Sequence, residues 1–104
     1  MTGAARVFRA LSDPTRRQIL QEIGEGELGA GEIASRFAIA APSVSRHLAI
    51  LRAADLIVER RAGNRIFYRL ESAGLVRHLN DFLSAVCPTQ VAQRRRMRAG
   101  RGRR

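Results

Sequence analysis

With 104 residues and a hydrophobic content of 45%, the chain has material for one domain with a single modest core. Its 19 basic residues, all arginine, outnumber 9 acidic ones for a formal net charge of +10, which makes nucleic acid or an anionic surface the favoured partner class. No window approaches the roughly 18 consecutive apolar residues of a membrane span, no charged and then apolar leader opens the sequence, and the lone Cys87 excludes an internal disulfide or a self-contained thiolate metal site.

These features fit a reducing, cytoplasmic setting, and the arginine- and alanine-rich usage matches a GC-rich bacterial genome. The charge is uneven. Seven arginines and no acid follow residue 87, which leaves 12 arginines against 9 acids in residues 1–87. The folded part is therefore only mildly basic.

Ala5, Val7, Phe8 and Leu11 recur at helical spacing and predict a short amphipathic helix over residues 2–11. Ser12-Asp13-Pro14 interrupts it: Asp13 is placed to cap a second helix whose first position Pro14 occupies at no cost in donors. Ile19, Leu20 and Ile23 form the buried stripe of that helix, and the glycine- and glutamate-rich residues 24–29 form a turn. Residues 31–37 put Ile33, Ala34 and Phe37 on one side of a brief third helix, and residues 38–41 make a tight connection.

In the fourth helix, "APSVSRHLAIL" (residues 41–51), Val44, Leu48 and Leu51 form one apolar line. Pro42, Arg46 and Ala49 point away from it, with Ser43 and Ser45 on its flanks. Two β-prone runs, residues 57–62 and 65–70, surround Gly63-Asn64, a hairpin signal because glycine supplies positive φ. Residues 72–87 return to helical spacing with Leu75, Leu79, Phe82, Leu83 and Val86 on a wide apolar face, and Pro88 ends the helix. Residues 88–104 have almost nothing to bury and are expected to form a basic, disordered tail. The expectation is a mainly α domain over residues 1–87 with a small β-hairpin, ordered α-α-α-α-β-β-α: a winged helix-turn-helix.

That order carries a chemical reading. A major groove admits one helix, whose N-terminal residues reach base edges while its free N–H groups favour phosphate. Ser43 and Ser45 offer small hydroxyls, Arg46 a bidentate fork for guanine, and Pro42 or Ala49 an apolar contact for a thymine methyl. Near the hairpin tip, Arg60, Arg61, Asn64 and Arg65 are placed to meet phosphates or an adjacent minor groove. Taken singly, serines at a helix start are often caps and charged hairpins are often solvated edges; the conjunction favours DNA. His47, on the flank of the apolar line, suits core-edge packing as well as phosphate contact.

"ALSDPTRRQIL" (residues 10–20), "GEIASRFAIAAPSVSRHLAIL" (residues 31–51) and "LIVERRAGNRIFYRL" (residues 56–70) closely resemble the ArsR family of bacterial winged-helix repressors. The resemblance implies a homodimeric repressor bound to double-stranded DNA at an inverted repeat. Its first and last helices would pair across the two-fold axis through Val7, Phe8, Leu75, Leu79, Phe82 and Val86. It also assigns Ser43, Ser45, Arg46 and the wing arginines to DNA. One departure stands out, because family members often carry serine or threonine where this chain has Ala40. A missing capping hydroxyl there costs about 1 kcal/mol.

Many members of the family sense metals, through cysteines in the third helix or His, Asp and Glu on the last. Here the third helix has no cysteine, and His78 and Asp81 lack the second histidine of the zinc pattern. The resemblance is closest to members without metal sites that act as autorepressors, so no cofactor is expected. Cys87 reads as a half-buried thiol in preference to an oxidant sensor. The arginine tail reads as a basic arm following phosphates or as a solvated terminus. No phosphate loop or nucleophile set appears, which speaks against an enzyme. The competing readings are a ligand- or thiol-responsive repressor of the same fold and a winged-helix protein-interaction module.

Overall fold

The structure is a computed structural model and describes residues 2–90. Eight elements follow in order: α1 (Gly3–Leu11), α2 (Pro14–Glu25), β1 (Leu28–Gly29), α3 (Ala30–Phe37), α4 (Ala41–Ala53), β2 (Ile57–Ala62), β3 (Arg65–Leu70) and α5 (Ser72–Val86). The arginines from Arg94 onward, and with them the expected basic arm, lie outside the described residues. Pro88–Gln90 are again helical.

Local chemistry sets the helix ends. The Thr2 hydroxyl accepts the Ala5 N–H at 3.1 Å and starts α1. An Asp13 carboxylate oxygen accepts the N–H groups of Thr15 and Arg16 at 2.7 and 3.1 Å, so α2 starts on a satisfied cap with Pro14 in its first turn. At α3, Gly29 has no side chain and only half of a capping box forms: Glu32 Oε1 accepts the Gly29 N–H at 3.1 Å. α5 stops at Val86, ahead of Pro88, whose ring disfavours helical backbone in the residue before it.

The connection between α3 and α4 turns on Ala38, which sits at φ 50 and ψ 39 in the left-handed region usually left to glycine. That one residue sets the angle between the two helices of the helix-turn-helix. The hairpin closes in the expected register, from Ile57 opposite Leu70 to Ala62 opposite Arg65. Gly63 supplies the positive φ, 62°, at the first central position of the two-residue turn.

β1 is an addition to the expected order. Leu28 pairs with Tyr68 and Gly29 with Phe67, giving an antiparallel sheet ordered β1-β3-β2. Two residues between glycines give no alternation to read, yet they tie the wing to the start of α3.

The core gathers Val7, Ile19, Ile33, Leu51 and Leu56, all fully buried, with Ile23, Val44, Leu48 and Ile57 around them. α5 contributes no fully buried residue. Its apolar face meets α1 and otherwise opens to solvent: Val76, Phe82, Leu83 and Val86 are exposed, and Phe82 meets Phe8 edge to face at 5.2 Å. Among the described residues no helix is long and apolar enough to cross a membrane.

Candidate nucleic-acid interface

α4 presents two unlike faces. Val44, Leu48 and Leu51 are buried against the core, while Pro42, Ser45, Arg46 and Ala49 are exposed and Ser43 is half-buried. The Ala40 carbonyl accepts the N–H groups of Ser43 and Val44 at 2.9 and 3.1 Å. Ala40 is the N-cap residue and makes no side-chain cap, so the hydroxyl expected to be missing is missing at the helix tip itself. The tip is small, polar and open, the shape a groove-entering helix requires.

His47 belongs to the protein interior. Its Nδ1 lies 3.3 Å from Nη1 of Arg16, a buried arginine that also donates through Nε to the Ala10 carbonyl at 2.8 Å and through Nη2 to the Arg9 carbonyl at 3.0 Å. One guanidinium thus joins the end of α1 to the side of α4. Sequence reading missed Arg16, although a signal was there: positions 16, 19, 20 and 23 fall on one helical face, so the arginine sits in the apolar stripe of α2. Asp13 faces the same group, and its carboxyl is held below the ordinary value by the N–H of Arg16 first, then by that of Thr15 and the nearby positive charge.

The wing arginines divide into two kinds. Arg60 is anchored: Nε and Nη2 donate to Glu27 at 3.1 and 2.6 Å, and its guanidinium lies 4.7 Å from the centre of the Phe67 ring. That pairing lowers the Glu27 carboxyl and raises the Arg60 guanidinium from their ordinary values. Arg61 is 75% exposed and meets only Glu59, at 3.6 Å. Asn64 is exposed at the tip, and Arg65 is exposed with its guanidinium 5.1 Å from the Phe67 ring centre. Arg61, Asn64 and Arg65 are therefore the free groups of the wing, and Arg60 holds it to the body.

The residues expected at a dimer interface divide as well. Val7 is fully buried in the protomer's own core and is unavailable to a partner, a correction to the sequence reading. Phe8, Phe82 and Val86 are exposed on the outer surface of α1 and α5, while Leu75 and Leu79 are half-buried. Val76 and Leu83 extend the same exposed apolar surface.

No three His, Cys, Asp or Glu side chains come together among the described residues. His78 Nε2 lies 3.5 Å from the Arg77 guanidinium, an unfavourable neighbour for a cation, and Asp81 points to solvent. Cys87 is half-buried as a free thiol.

A helix-turn-helix with an open polar tip on its second helix, followed by a basic β-hairpin, defines the DNA-binding winged-helix class of transcription regulator. A family model described as "Helix-turn-helix domain" matches residues 11–60. The Transcriptional repressor SdpR of Bacillus subtilis is 44% identical over 80 residues, 77% of this chain and 89% of SdpR. The HTH-type transcriptional regulator KmtR of Mycobacterium tuberculosis is 50% identical over 66 residues, 64% of this chain and 51% of KmtR. The solved ArsR-like transcriptional regulator from Rhodococcus sp. RHA1 superposes with a TM-score of 0.71 at 32% identity, covering 93% of this chain and 88% of that one. The chain belongs to the ArsR family of winged helix-turn-helix transcription regulators.

Proposed function

We propose that the chain acts as a homodimeric repressor that occupies an inverted-repeat operator and needs no metal to bind it. The observation that carries the reading is the exposed tip of α4, where Pro42, Ser45 and Arg46 stand clear of the core beside the half-buried Ser43. In this reading Arg46 makes a bidentate contact to guanine, Ser45 reads an adjacent base edge, and the N–H groups and hydroxyl of Ser43 meet phosphate. Arg61, Asn64 and Arg65 follow the flanking backbone or minor groove, and Arg60 sets the wing's position through Glu27.

Dimerisation rests on the aromatic face. Two such faces brought together across a two-fold axis cover Phe8 and Phe82 on each protomer and set the spacing of the two α4 tips. Binding without metal is supported by the donor chemistry, since His78 faces an arginine.

Selection of bound sites from random duplex DNA tests the reading, with a palindromic consensus as the expected result. A combined Ser45→Ala and Arg46→Ala chain should lose at least about 1–3 kcal/mol of discrimination at the selected site. Zinc and a chelator should each leave the affinity unchanged. An asymmetric consensus, or full occupancy by the double variant, would remove the proposed role.

A further inference from the structure

A groove runs between α1 and the exposed flank of α4. Its floor is apolar, made by Ala49, Ile50 and Ala53, and its rim is cationic, made by Arg6, Arg9 and Arg46; no acid lines it. The sequence explains both features. Arg6 and Arg9 are three residues apart and share one side of α1, while positions 46, 49, 50 and 53 form one stripe on α4 in which two alanines are too short to fill the gap. The space is about 500 Å³, within the roughly 300–1,000 Å³ typical of small-molecule sites.

A second observation concerns charge. Every ion pair found among the described residues uses other arginines, namely Arg16, Arg36, Arg52, Arg60 and Arg61. The three guanidiniums around the apolar floor have no carboxylate partner there. A duplex phosphate would satisfy the rim and gain nothing from the floor. A small molecule with one anionic end and an apolar body satisfies both.

We propose that this groove binds an amphipathic carboxylate, its head held by Arg6, Arg9 and Arg46 and its body laid on Ala49, Ile50 and Ala53, and that the bound molecule competes with DNA for Arg46. The competition rests on the DNA reading given above; the binding does not. Around α1, Arg6 lies about 160° from Phe8, so the groove stays open when the aromatic face is covered.

The test titrates the full chain with sodium octanoate, alone and on a preformed DNA complex. Methyl NMR of Ala49, Ile50 and Ala53 reports the first experiment and fluorescence anisotropy of labelled DNA the second. Saturable shifts of those methyls are expected, with DNA affinity falling about tenfold or more at saturation. Acetate and octyltrimethylammonium should do neither. Ala53→Phe, an exposed position outside the DNA tip, should fill the groove, abolish the shifts at Ala49 and Ile50 and keep DNA affinity. Arg6→Ala should weaken octanoate about tenfold. Shifts centred on the α1 and α5 aromatic face, or an equal response to acetate, overturn the proposal. So does an Arg6→Ala chain that loses DNA affinity and salt dependence with octanoate binding unchanged, which would assign the groove to the phosphate backbone. Groove shifts without any DNA binding would leave the site standing and remove the repressor reading; DNA binding with unmoved methyls would do the reverse.

Discussion

Replacing Phe82 by alanine is expected to dissociate the proposed dimer while leaving the protomer folded, and the size of the effect follows from the surface involved. Phe82 is 50% exposed in the single chain. A phenylalanine carries roughly 150–250 Å², so about 100 Å² of it faces water. A two-fold interface that covers this area gains about 2.5 kcal/mol on each side at ~25 cal/mol/Å². Alanine retains a methyl group, which leaves a loss of about 3–4 kcal/mol for the symmetric pair. The entropy of association is common to both chains and cancels in the comparison. The dimer dissociation constant should therefore rise by about two to three orders of magnitude. Sedimentation equilibrium over a range of protein concentrations measures it. Circular dichroism is needed beside it, because the edge contact with Phe8 inside the protomer is lost too. A folded Phe82→Ala chain with an unchanged constant would refute the assignment of this face to dimerisation.

Ala40→Ser restores a side-chain cap at the tip of α4 and should raise stability by about 0.5–1 kcal/mol in urea unfolding, with DNA affinity unchanged or higher. Arg16→Met strands the Arg9 and Ala10 carbonyls and the His47 ring; a loss of about 2–4 kcal/mol is expected in the same assay, and Arg16→Lys should recover only part of it. The Asp13 carboxyl is held below its ordinary value of 3.8, chiefly by the Arg16 N–H. Its contribution to stability is complete above that value and disappears as pH falls through the depressed native one, so Asp13→Asn should flatten the melting temperature against pH below about pH 4. In DNA titrations against salt, Arg61→Ala and Arg65→Ala should each reduce the log–log slope by about 0.9, whereas Arg60→Ala should change it little and instead loosen the wing.

Local rules carried the fold a long way. The caps at Thr2 and Asp13, the glycine turn at Gly63 and the stop before Pro88 depend on neighbours within a few residues, and the elements they bound follow the expected ranges closely. What sequence could not give is which surface each stripe meets. Val7 and Phe8 are adjacent and both apolar, but about 100° apart on α1, so one fills the core and the other opens outward. Arg60 reads as a free wing charge until the fold brings Glu27 to it from 33 positions away. β1 exists only because β3 offers an edge for Leu28 and Gly29 to pair with, a long-range event with no local periodicity.

The buried Arg16 connects the dimer face to the DNA face by a route that sequence spacing does not reveal. Its guanidinium holds two carbonyls in the last turns of α1, the helix that carries Phe8, and reaches His47 one residue beyond Arg46 on α4. Because each of those groups is satisfied inside the protein, rotation of α4 relative to α1 requires breaking charge-assisted bonds in a partly dry environment, where an unpaired group is expensive. A rigid joint of this kind fixes how far each α4 tip stands from the two-fold axis. Half-sites on B-DNA repeat at about 34 Å, so a tip displaced by a few ångströms meets the wrong base pair. On this argument Arg16 contributes to DNA recognition without touching DNA: its loss should reduce discrimination between operator half-site spacings more than it reduces the salt-dependent, non-specific affinity that the wing arginines supply.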